Sequence, residues 1–453
     1  VQAVPDSYLG PILRLQAGQK VRVHFVNDLP EASIVHWHGL DVPTQADGHP
    51  RLAVGSGQRY VYQFEVINRA GTYWYHPHPH MRTAYQAYHG LAGLIVVSDP
   101  AETALQLPSG AEELVCVIQD RQFDGGNQLV YTSGMMMETM NGFLGDRVLV
   151  NGRPSPTFSL ATRHYRIRLM NGSNSRVYKL AWDQAPPLTV IGTDGGLLER
   201  PIARPYVTLG PGERVDTILD LSAASVGSRL TLRSLPFPSS LFTMQMGMGG
   251  GMGPGRGRGR RMAGGRGMEA ASNLPQGAPI DLLTVAVDRR ERSTFTLPAT
   301  LSRYEAAWQP PPNVPTRVVK IDFMRMQFFL GGREFDMHDV AADETVTAGS
   351  THIWEYDNSG PGMMMNMRLG HPMHMHGRQF RVLRRTVDAG RQADWQTLKD
   401  GLVDEGWKDT TLVLPGERVQ CLVKFSGYLG LFLYHCHNLE HEDMGMMRNF
   451  RIV

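Results

Sequence analysis

The segment Leu429-Gly-Leu-Phe-Leu-Tyr-His-Cys-His437 repeats an earlier segment of the same chain, Ala70-Gly-Thr-Tyr-Trp-Tyr-His-Pro-His78. Both are largely apolar runs that end in two histidines separated by one residue. Such a run predicts a β-strand, in which residues two apart lie on the same face. Cys436 occupies the position of Pro77, so its side chain is expected to point away from the two histidines beside it.

A second repeat precedes each of these strands and also occurs in mid-chain. A glycine turn, a polar pair and an alternating strand recur at 56–66, 210–221 and 414–425. Three copies predict three similar domains, which we place at residues 1–105, 106–290 and 291–453. The mid-chain copy continues without histidines, so the second domain is expected to be a spacer. Short strands between glycines and prolines predict an all-β chain of sandwiches or barrels.

Composition narrows the possible functions. The net charge is +2 and no long basic stripe is present, so nucleic acid is not an indicated partner. No run of 18 apolar residues exists, so no membrane-spanning helix is expected. The chain begins at Val1 without a signal peptide, as a mature, processed protein or a trimmed chain would. We expect a periplasmic or extracellular monomer in which Cys116 and Cys421, both in apolar runs, are buried thiols and not a disulfide.

The strongest chemical signal lies between residues 434 and 446. Cys436 is followed by His441 five residues later and by Met446 ten residues later. A thiolate, an imidazole and a thioether suit a soft, redox-active metal, and copper is the first choice. Cys436 and His441 would be strong ligands and Met446 a long axial ligand, with a second histidine supplied from elsewhere. The alternative is a buried thiol among core histidines.

Ten of the 17 histidines fall into four clusters: His36 and His38; His76 and His78; His371, His374 and His376; and His435, His437 and His441. Each His-X-His pair directs two imidazoles to one side of a strand-like segment. Four pairs supply eight imidazoles, enough for two coppers with three each and a third with two. His371 is then free to join Cys436 and His441. Ten histidines and one cysteine therefore account for four coppers.

These four motifs, in this order, resemble the multicopper oxidases, which include laccases, ascorbate oxidase and the bacterial cuprous oxidases of copper efflux. The resemblance covers essentially the whole chain and is strongest to the bacterial three-domain branch. It implies three cupredoxin domains with a trinuclear copper cluster between the first and the third. It also implies a type 1 copper on His371, Cys436, His441 and Met446; a type 2 copper on His36 and His374; and two type 3 coppers, one on His38, His76 and His435 and the other on His78, His376 and His437.

The same resemblance implies an oxidoreductase activity. A donor would lose one electron at a time at the type 1 copper, and O2 would be reduced by four electrons to water at the cluster. Glu442 and Asp47 match the acidic residues to which the family assigns proton delivery. Alternatively, Glu442 only orients ligands and Asp47 is a turn residue before Gly48.

The donor is the open question. Residues 244–268 hold six methionines, five arginines and eleven glycines, which predicts a mobile surface loop without a core of its own. Thioethers favour Cu(I), so the candidate Cu(I) ligands are Met244, Met246, Met248, Met252, Met262 and Met268. Met367 and Leu369 stand where the copper-efflux enzymes would have an acidic residue and a methionine, so their labile Cu(I) site is not carried over intact. A Cu(I) oxidase, a laccase for phenols and aromatic amines, and a non-enzymatic protein of the same fold are the three hypotheses.

Overall fold

The computed structural model describes residues 1–131, 136–184, 187–243, 274–304, 310–324, 326–360 and 368–453. Its strands form sheets that never mix the first, middle and last parts of the chain. The α-helices of these residues are only five or six residues long. The expected all-β class of three cupredoxin-like sandwiches is confirmed.

The first sandwich packs a sheet of order β1-β6-β5-β3 against the antiparallel pair β2 and β4, around Trp37, Tyr62, Tyr73 and Ile95. The alternating sequence of β2 produces alternating burial of its side chains. Its elements are β1 (Leu13–Gln16), β2 (Lys20–Val26), β3 (Val35–His36), β4 (Arg59–Glu65), β5 (Gly71–Pro77), α1 (Thr83–Tyr88), β6 (Gly93–Ser98) and α2 (Pro100–Ala104).

The second sandwich combines a seven-stranded sheet, β14-β13-β16-β11-β7-β8-β9, with a five-stranded sheet, β10-β18-β17-β12-β15. Its elements are β7 (Glu113–Arg121), α3 (Met136–Asn141), β8 (Arg147–Val150), β9 (Arg153–Pro154), β10 (Thr157–Ala161), β11 (His164–Asn171), β12 (Tyr178–Trp182), β13 (Leu188–Thr193), β14 (Gly196–Arg204), β15 (Val207–Leu209), β16 (Arg214–Asp220), β17 (Arg229–Ser234) and β18 (Ile280–Arg289).

The third sandwich is made of two five-stranded sheets, β20-β19-β22-β26-β24 and β21-β28-β27-β23-β25. Its elements are β19 (Thr316–Met324), β20 (Gln327–Leu330), β21 (Thr345–Val346), β22 (Thr351–Asp357), β23 (His371–Met375), β24 (Phe380–Val387), α4 (Gln392–Gln396), β25 (Thr410–Val413), β26 (Glu417–Lys424), β27 (Gly430–Cys436), α5 (Leu439–Asp443) and β28 (Met447–Ile452).

Strand pairing brings the histidine motifs together in twos. In the first sandwich, β3 pairs with β5, and His36 lies opposite His76. In the third sandwich, β23 pairs with β27, and His374 lies opposite His435. The first and third sandwiches therefore each present two adjacent strands that carry histidines. These two sets of strands meet at the seam between the first and third sandwiches.

Two further expectations concern the thiols and the membrane. Cys116 and Cys421 are buried free thiols, as expected. Burial raises the pKa of Cys116 to about 12 and that of Cys421 well above its usual value, so both are unreactive. Within the described ranges, no helix is long and apolar enough to cross a membrane.

A buried ion-pair network joins the first and second sandwiches. Asp216 of β16 accepts hydrogen bonds from Arg166 (2.6 Å), Arg168 (2.8 Å) and the Thr72 hydroxyl of β5 (2.7 Å). Burial works to raise the pKa of Asp216, but Arg168 and Arg166 outweigh it and hold the pKa below its usual value. A lowered carboxyl pKa contributes stability above the pKa of the unfolded chain, and this stability is lost as the pH falls.

Asp216→Ala is expected to lower the free energy of unfolding by about 3–5 kcal/mol, because two buried guanidinium groups lose their shared partner. Chemical denaturation at neutral pH measures this loss. Asp281→Ala is the matched control, since Asp281 pairs with Arg233 at the surface with side chains 60% and 40% exposed. That pair is expected to contribute about 0.2–1 kcal/mol. Equal losses in the two variants would contradict the role given to the buried network.

Candidate metal centres

One sulfur and two ring nitrogens converge inside the third sandwich. Cys436 Sγ lies 3.4 Å from His371 Nδ1 and 3.8 Å from His441 Nδ1. His371 begins β23 and Cys436 ends β27, which lies beside β23 in the same sheet. The backbone N–H of Asn438 donates to the sulfur (3.4 Å). All three converging side chains are buried, so they form a closed group.

The short helix α5 carries the third member of this group. Its N-terminus is capped by the Asn438 side chain, which accepts from the backbone N–H of His441. After the helix, the N–H of Met446 bonds to the His441 carbonyl (3.0 Å) and the N–H of Cys436 bonds to the Met446 carbonyl (3.1 Å). This return path places Met446, which is fully buried, directly beside Cys436 in the chain fold.

The contacts around this group favour the tautomer of His441 in which Nδ1 can bind a metal. His441 Nε2 donates to the Met140 carbonyl (3.0 Å), so its Nδ1 lone pair faces Cys436. The ring of Phe328 packs on His441 with centroids 4.1 Å apart and on His371 at 5.3 Å. Burial lowers the pKa of His441 to about 4 and raises the pKa of the Cys436 thiol well above its usual value. A thiolate here needs a cation beside it.

Eight other histidines meet at the seam between the first and third sandwiches. All are buried, and they form three groups in which the possible ligand atoms lie within 4.8 Å of one another. The groups are His36, His38 and His374; His38, His76 and His437; and His78, His376 and His435. The four His-X-His pairs expected to share a metal cluster are thus brought together.

The structure exchanges two of these histidines relative to the partition implied by the resemblance. His437, not His435, joins His38 and His76, and His435 joins His78 and His376. His435 Nε2 lies 3.0 Å from His376 Nε2 and 3.4 Å from His78 Nε2. Strand alternation predicts that the rings of His435 and His437 lie on the same side of the chain at the end of β27. It does not predict which of the two rings is nearer to which neighbouring strand.

Most of these rings are held through Nδ1, which leaves Nε2 directed into the cluster. The Nδ1 partners are the Asp47 carbonyl for His36 (2.6 Å), the Pro77 carbonyl for His76 (2.9 Å), the Asp409 carbonyl for His374 (2.8 Å), the Asp47 carboxylate for His376 (2.8 Å) and the Cys436 carbonyl for His435 (3.0 Å). His38 is held in the opposite way, through Nε2, by the Asp409 carboxylate (2.9 Å).

Besides Asp409, two more buried carboxyl groups contact the cluster. Asp47 contacts His376 at 2.8 Å, and Glu442 lies with one oxygen 3.2 Å from His435 Nδ1 and the other 3.4 Å from His78 Nε2. Burial raises the pKa of Asp47 and of Glu442 well above their usual values. Burial therefore favours the protonated form of both groups next to the histidine rings.

Comparisons with known proteins agree with this arrangement. Two family models described as multicopper oxidase match residues 1–102 and 309–453. The multicopper oxidase mco of Staphylococcus aureus is 30% identical over 445 residues, which cover 98% of this chain and 82% of that protein. This chain belongs to the multicopper oxidases.

Further likenesses extend over nearly the whole of this multicopper oxidase. A laccase of Bacillus stratosphericus is 29% identical over 491 residues, covering 98% of this chain and 89% of that protein. The crystal structure of the McoA multicopper oxidase from the hyperthermophile Aquifex aeolicus superposes with a TM-score of 0.79 at 33% identity, covering 98% of this chain and 89% of that chain.

The family's cofactor is copper, and the donor set of this multicopper oxidase fits it. Burial lowers the pKa of all ten motif histidines, so each is a neutral imidazole at neutral pH. Both ring nitrogens of His437 and Nδ1 of His78 are buried without a hydrogen-bond partner. Such atoms are unfavourable unless something binds them, and a thiolate with imidazoles favours copper.

A cavity of about 450 Å³ opens beside the Cys436 group. Phe328, which packs on both histidines of that group, forms part of its wall. The other lining residues that matter here are His80, Met81, Tyr131, Glu334, Phe335, Glu440 and Met444. The sequence does not predict this cavity, because its lining residues come from β20, α5 and loops that are far apart in the chain and share no motif.

Other residues were also considered in the sequence analysis as possible contacts for the donor. The methionine-rich segment with its six candidate Cu(I) ligands lies outside the described residues, as does Met367. Leu369 is buried in the core of the third sandwich.

Copper uptake by the eight seam histidines of the apoprotein is expected to be the same at pH 7 and at pH 5. Burial lowers the pKa of His76 to about 3 and that of His435 to about 4, so protons compete with metal at these rings only near or below pH 4. Metal analysis after equilibration with Cu(II) and gel filtration at each pH measures the ratio. Uptake that declines through about pH 6.5, the ordinary histidine pKa, would contradict the buried, neutral state of these rings.

Proposed function

We propose that this multicopper oxidase couples the one-electron oxidation of a small donor to the four-electron reduction of O2 to water. The observation that supports this most strongly is the position of Cys436 between two metal groups. Its sulfur belongs to the group with His371 and His441, while its chain neighbours His435 and His437 belong to the two triads of the cluster. One peptide bond on each side therefore links the two groups.

The proposed ligands are those of the sequence analysis with the last two type 3 histidines exchanged. A type 1 copper would be held by His371, Cys436, His441 and Met446; a type 2 copper by His36 and His374; and two type 3 coppers by His38, His76 and His437 and by His78, His376 and His435. Four copper ions bound there would supply the electron transfer and the reduction of O2.

The division of labour among domains is also a proposal. We place the domains at residues 1–105, 106–290 and 291–453, because each pair of sheets is drawn from one of these ranges. The proposed cluster then lies between the first and third domains, with two His-X-His pairs from each. Neither domain alone holds a complete set of ligands.

Proton supply falls to the two buried carboxyl groups. Glu442 lies between His78 and His435, and Asp47 lies between His376 and the backbone-bonded His36. Burial raises the pKa of each group and so favours its protonated form, from which a proton can pass to an adjacent acceptor when negative charge develops nearby. Both also orient the histidines they touch.

The cavity beside Phe328 is the proposed donor site. Its aromatic residues Tyr131 and Phe335 suit a phenol or an aromatic amine, and its size matches a small molecule. The hypothesis of a laccase rests on these aromatic lining residues and on the similarity to the laccase of Bacillus stratosphericus. Oxidation of Cu(I) is the second candidate, favoured by the thioethers of Met81 and Met444 in the wall and by the methionine-rich segment. The full set of ten buried histidines disfavours a non-enzymatic protein.

Cys436→Ser is expected to abolish the blue thiolate absorption and turnover while most cluster copper is retained, because the eight seam histidines are left in place. Visible absorption, metal analysis and O2 consumption measure the three quantities. Cys421→Ser is the matched control, since Cys421 is an equally buried thiol in β26. That variant should stay blue and active. Loss of all copper from Cys436→Ser would contradict the two separate groups.

Replacing the six methionines of segment 244–268 by serine separates the two donor classes. If the segment gathers Cu(I), kcat/KM for Cu(I) should fall at least tenfold while that for a phenol is unchanged. The length and arginine content are kept, so a general effect of removing the segment is avoided. Equal kcat/KM values for Cu(I) before and after the change would rule out a role for these thioethers.

A further inference from the structure

A turn of the second sandwich, residues 210–213 between β15 and β16, touches the histidine cluster, although that sandwich contributes none of the proposed ligands. Gly212 in this turn has φ +84°, a left-handed conformation that favours glycine. A Cβ at this position would lie only 3.1 Å from the ring of His437 and 3.3 Å from that of His38. The absence of a side chain therefore lets the turn close against both rings.

Two residues further on, Arg214 ties three parts of the molecule together. Its fully buried guanidinium donates to both oxygens of Asp409 in the third sandwich, at 2.7 and 2.6 Å. The other N–H groups donate to the carbonyls of Thr72 in the first sandwich (2.8 Å), Gly212 (3.0 Å) and Asp194 (2.9 Å). The two parallel bonds fix the plane and the position of the Asp409 carboxylate.

Asp409 in turn determines which ring nitrogen of His38 faces the cluster. The carboxylate accepts from His38 Nε2 at 2.9 Å, and the Thr410 hydroxyl lies 3.1 Å from the same nitrogen. With Nε2 protonated, the lone pair of His38 is on Nδ1, which lies 3.4 Å from His76 Nε2. His38 is thus turned opposite to the rings held through Nδ1, and a free Asp409 side chain would let it turn back. The carbonyl of Asp409 also holds His374.

We propose that the second sandwich helps to position the ligands of the trinuclear site, with Arg214 and Gly212 as positioning residues. Arg214 acts through Asp409 to keep His38 in the tautomer that presents Nδ1, and Gly212 lets the turn pack against His38 and His437. This inference rests on the ligand set proposed above. It replaces the expectation that the second domain is only a spacer.

Arg214→Met tests the first half of the proposal, with Arg214→Lys as the conservative variant and Arg233→Met as the matched control. Arg233 is on β17 of the same sandwich and forms a surface pair with Asp281. We expect Arg214→Met to lose cluster copper while keeping the blue absorption of the Cys436 group per chain. Lysine keeps the charge but not the two parallel bonds, so it should recover part of the copper. Arg233→Met should match the wild type.

Gly212→Ala tests the second half without removing any polar contact. Gly227 is its matched control, because it has φ +95° in the same sandwich and a Cβ there would meet no atom within 4 Å. Both alanine variants carry similar backbone strain, so the fall in unfolding temperature of Gly227→Ala measures the part of the Gly212→Ala effect that is due to strain alone. Only Gly212→Ala should lose cluster copper, measured by metal analysis, with its blue absorption retained.

The outcomes separate this inference from the proposed function. If Gly212→Ala and Arg214→Met both keep the wild-type copper ratio and turnover, the positioning role is overturned while the oxidase remains. Loss of the blue absorption together with the cluster copper would also overturn it, because that pattern indicates general unfolding. A wild-type protein with no blue absorption and no O2 consumption would instead contradict the proposed function itself.

Discussion

The close packing of neutral imidazoles in a buried seam imposes the main requirement that this fold has to meet. Eight rings meet where the first and third sandwiches face each other, and burial lowers the pKa of every one. Some of their nitrogens have no hydrogen-bond partner. A core of this kind is costly without a bound cation, so the fold must hold the rings in place until metal binding offsets the cost.

The fold does so with polar groups that lie just behind the rings. Backbone carbonyls, Asp47 and Asp409 each fix one nitrogen of a ring and so decide which nitrogen faces inward. Asp409 is fixed in turn by the buried Arg214, which reaches all three sandwiches. The cluster is therefore a property of the whole chain, although its proposed ligands come from two of the three sandwiches.

Much of this could be predicted from the sequence, because period-two alternation and repeats are local signals. The repeat of 70–78 at 429–437 predicted two similar β-strands that end in histidine pairs, and the side chain of Cys436 was correctly expected to point away from the histidines on either side of it. Contacts between distant segments could not be predicted. Alternation does not say whether His435 or His437 is nearer to His76, and nothing local to Gly212 indicates that it lies beside two histidines. The cavity proposed for the donor is likewise assembled from segments far apart in the chain, including β20 and α5.

The central claim is that one chain holds copper in two groups joined through Cys436. Anomalous X-ray diffraction from crystals of the as-isolated protein, recorded above and below the copper absorption edge, tests it most directly. We expect one copper peak bonded to Cys436 Sγ, His371 and His441, and a separate cluster of three copper peaks among the eight seam histidines. A single peak at Cys436 with none at the seam, or peaks that do not change across the copper absorption edge and so belong to another metal, would contradict it.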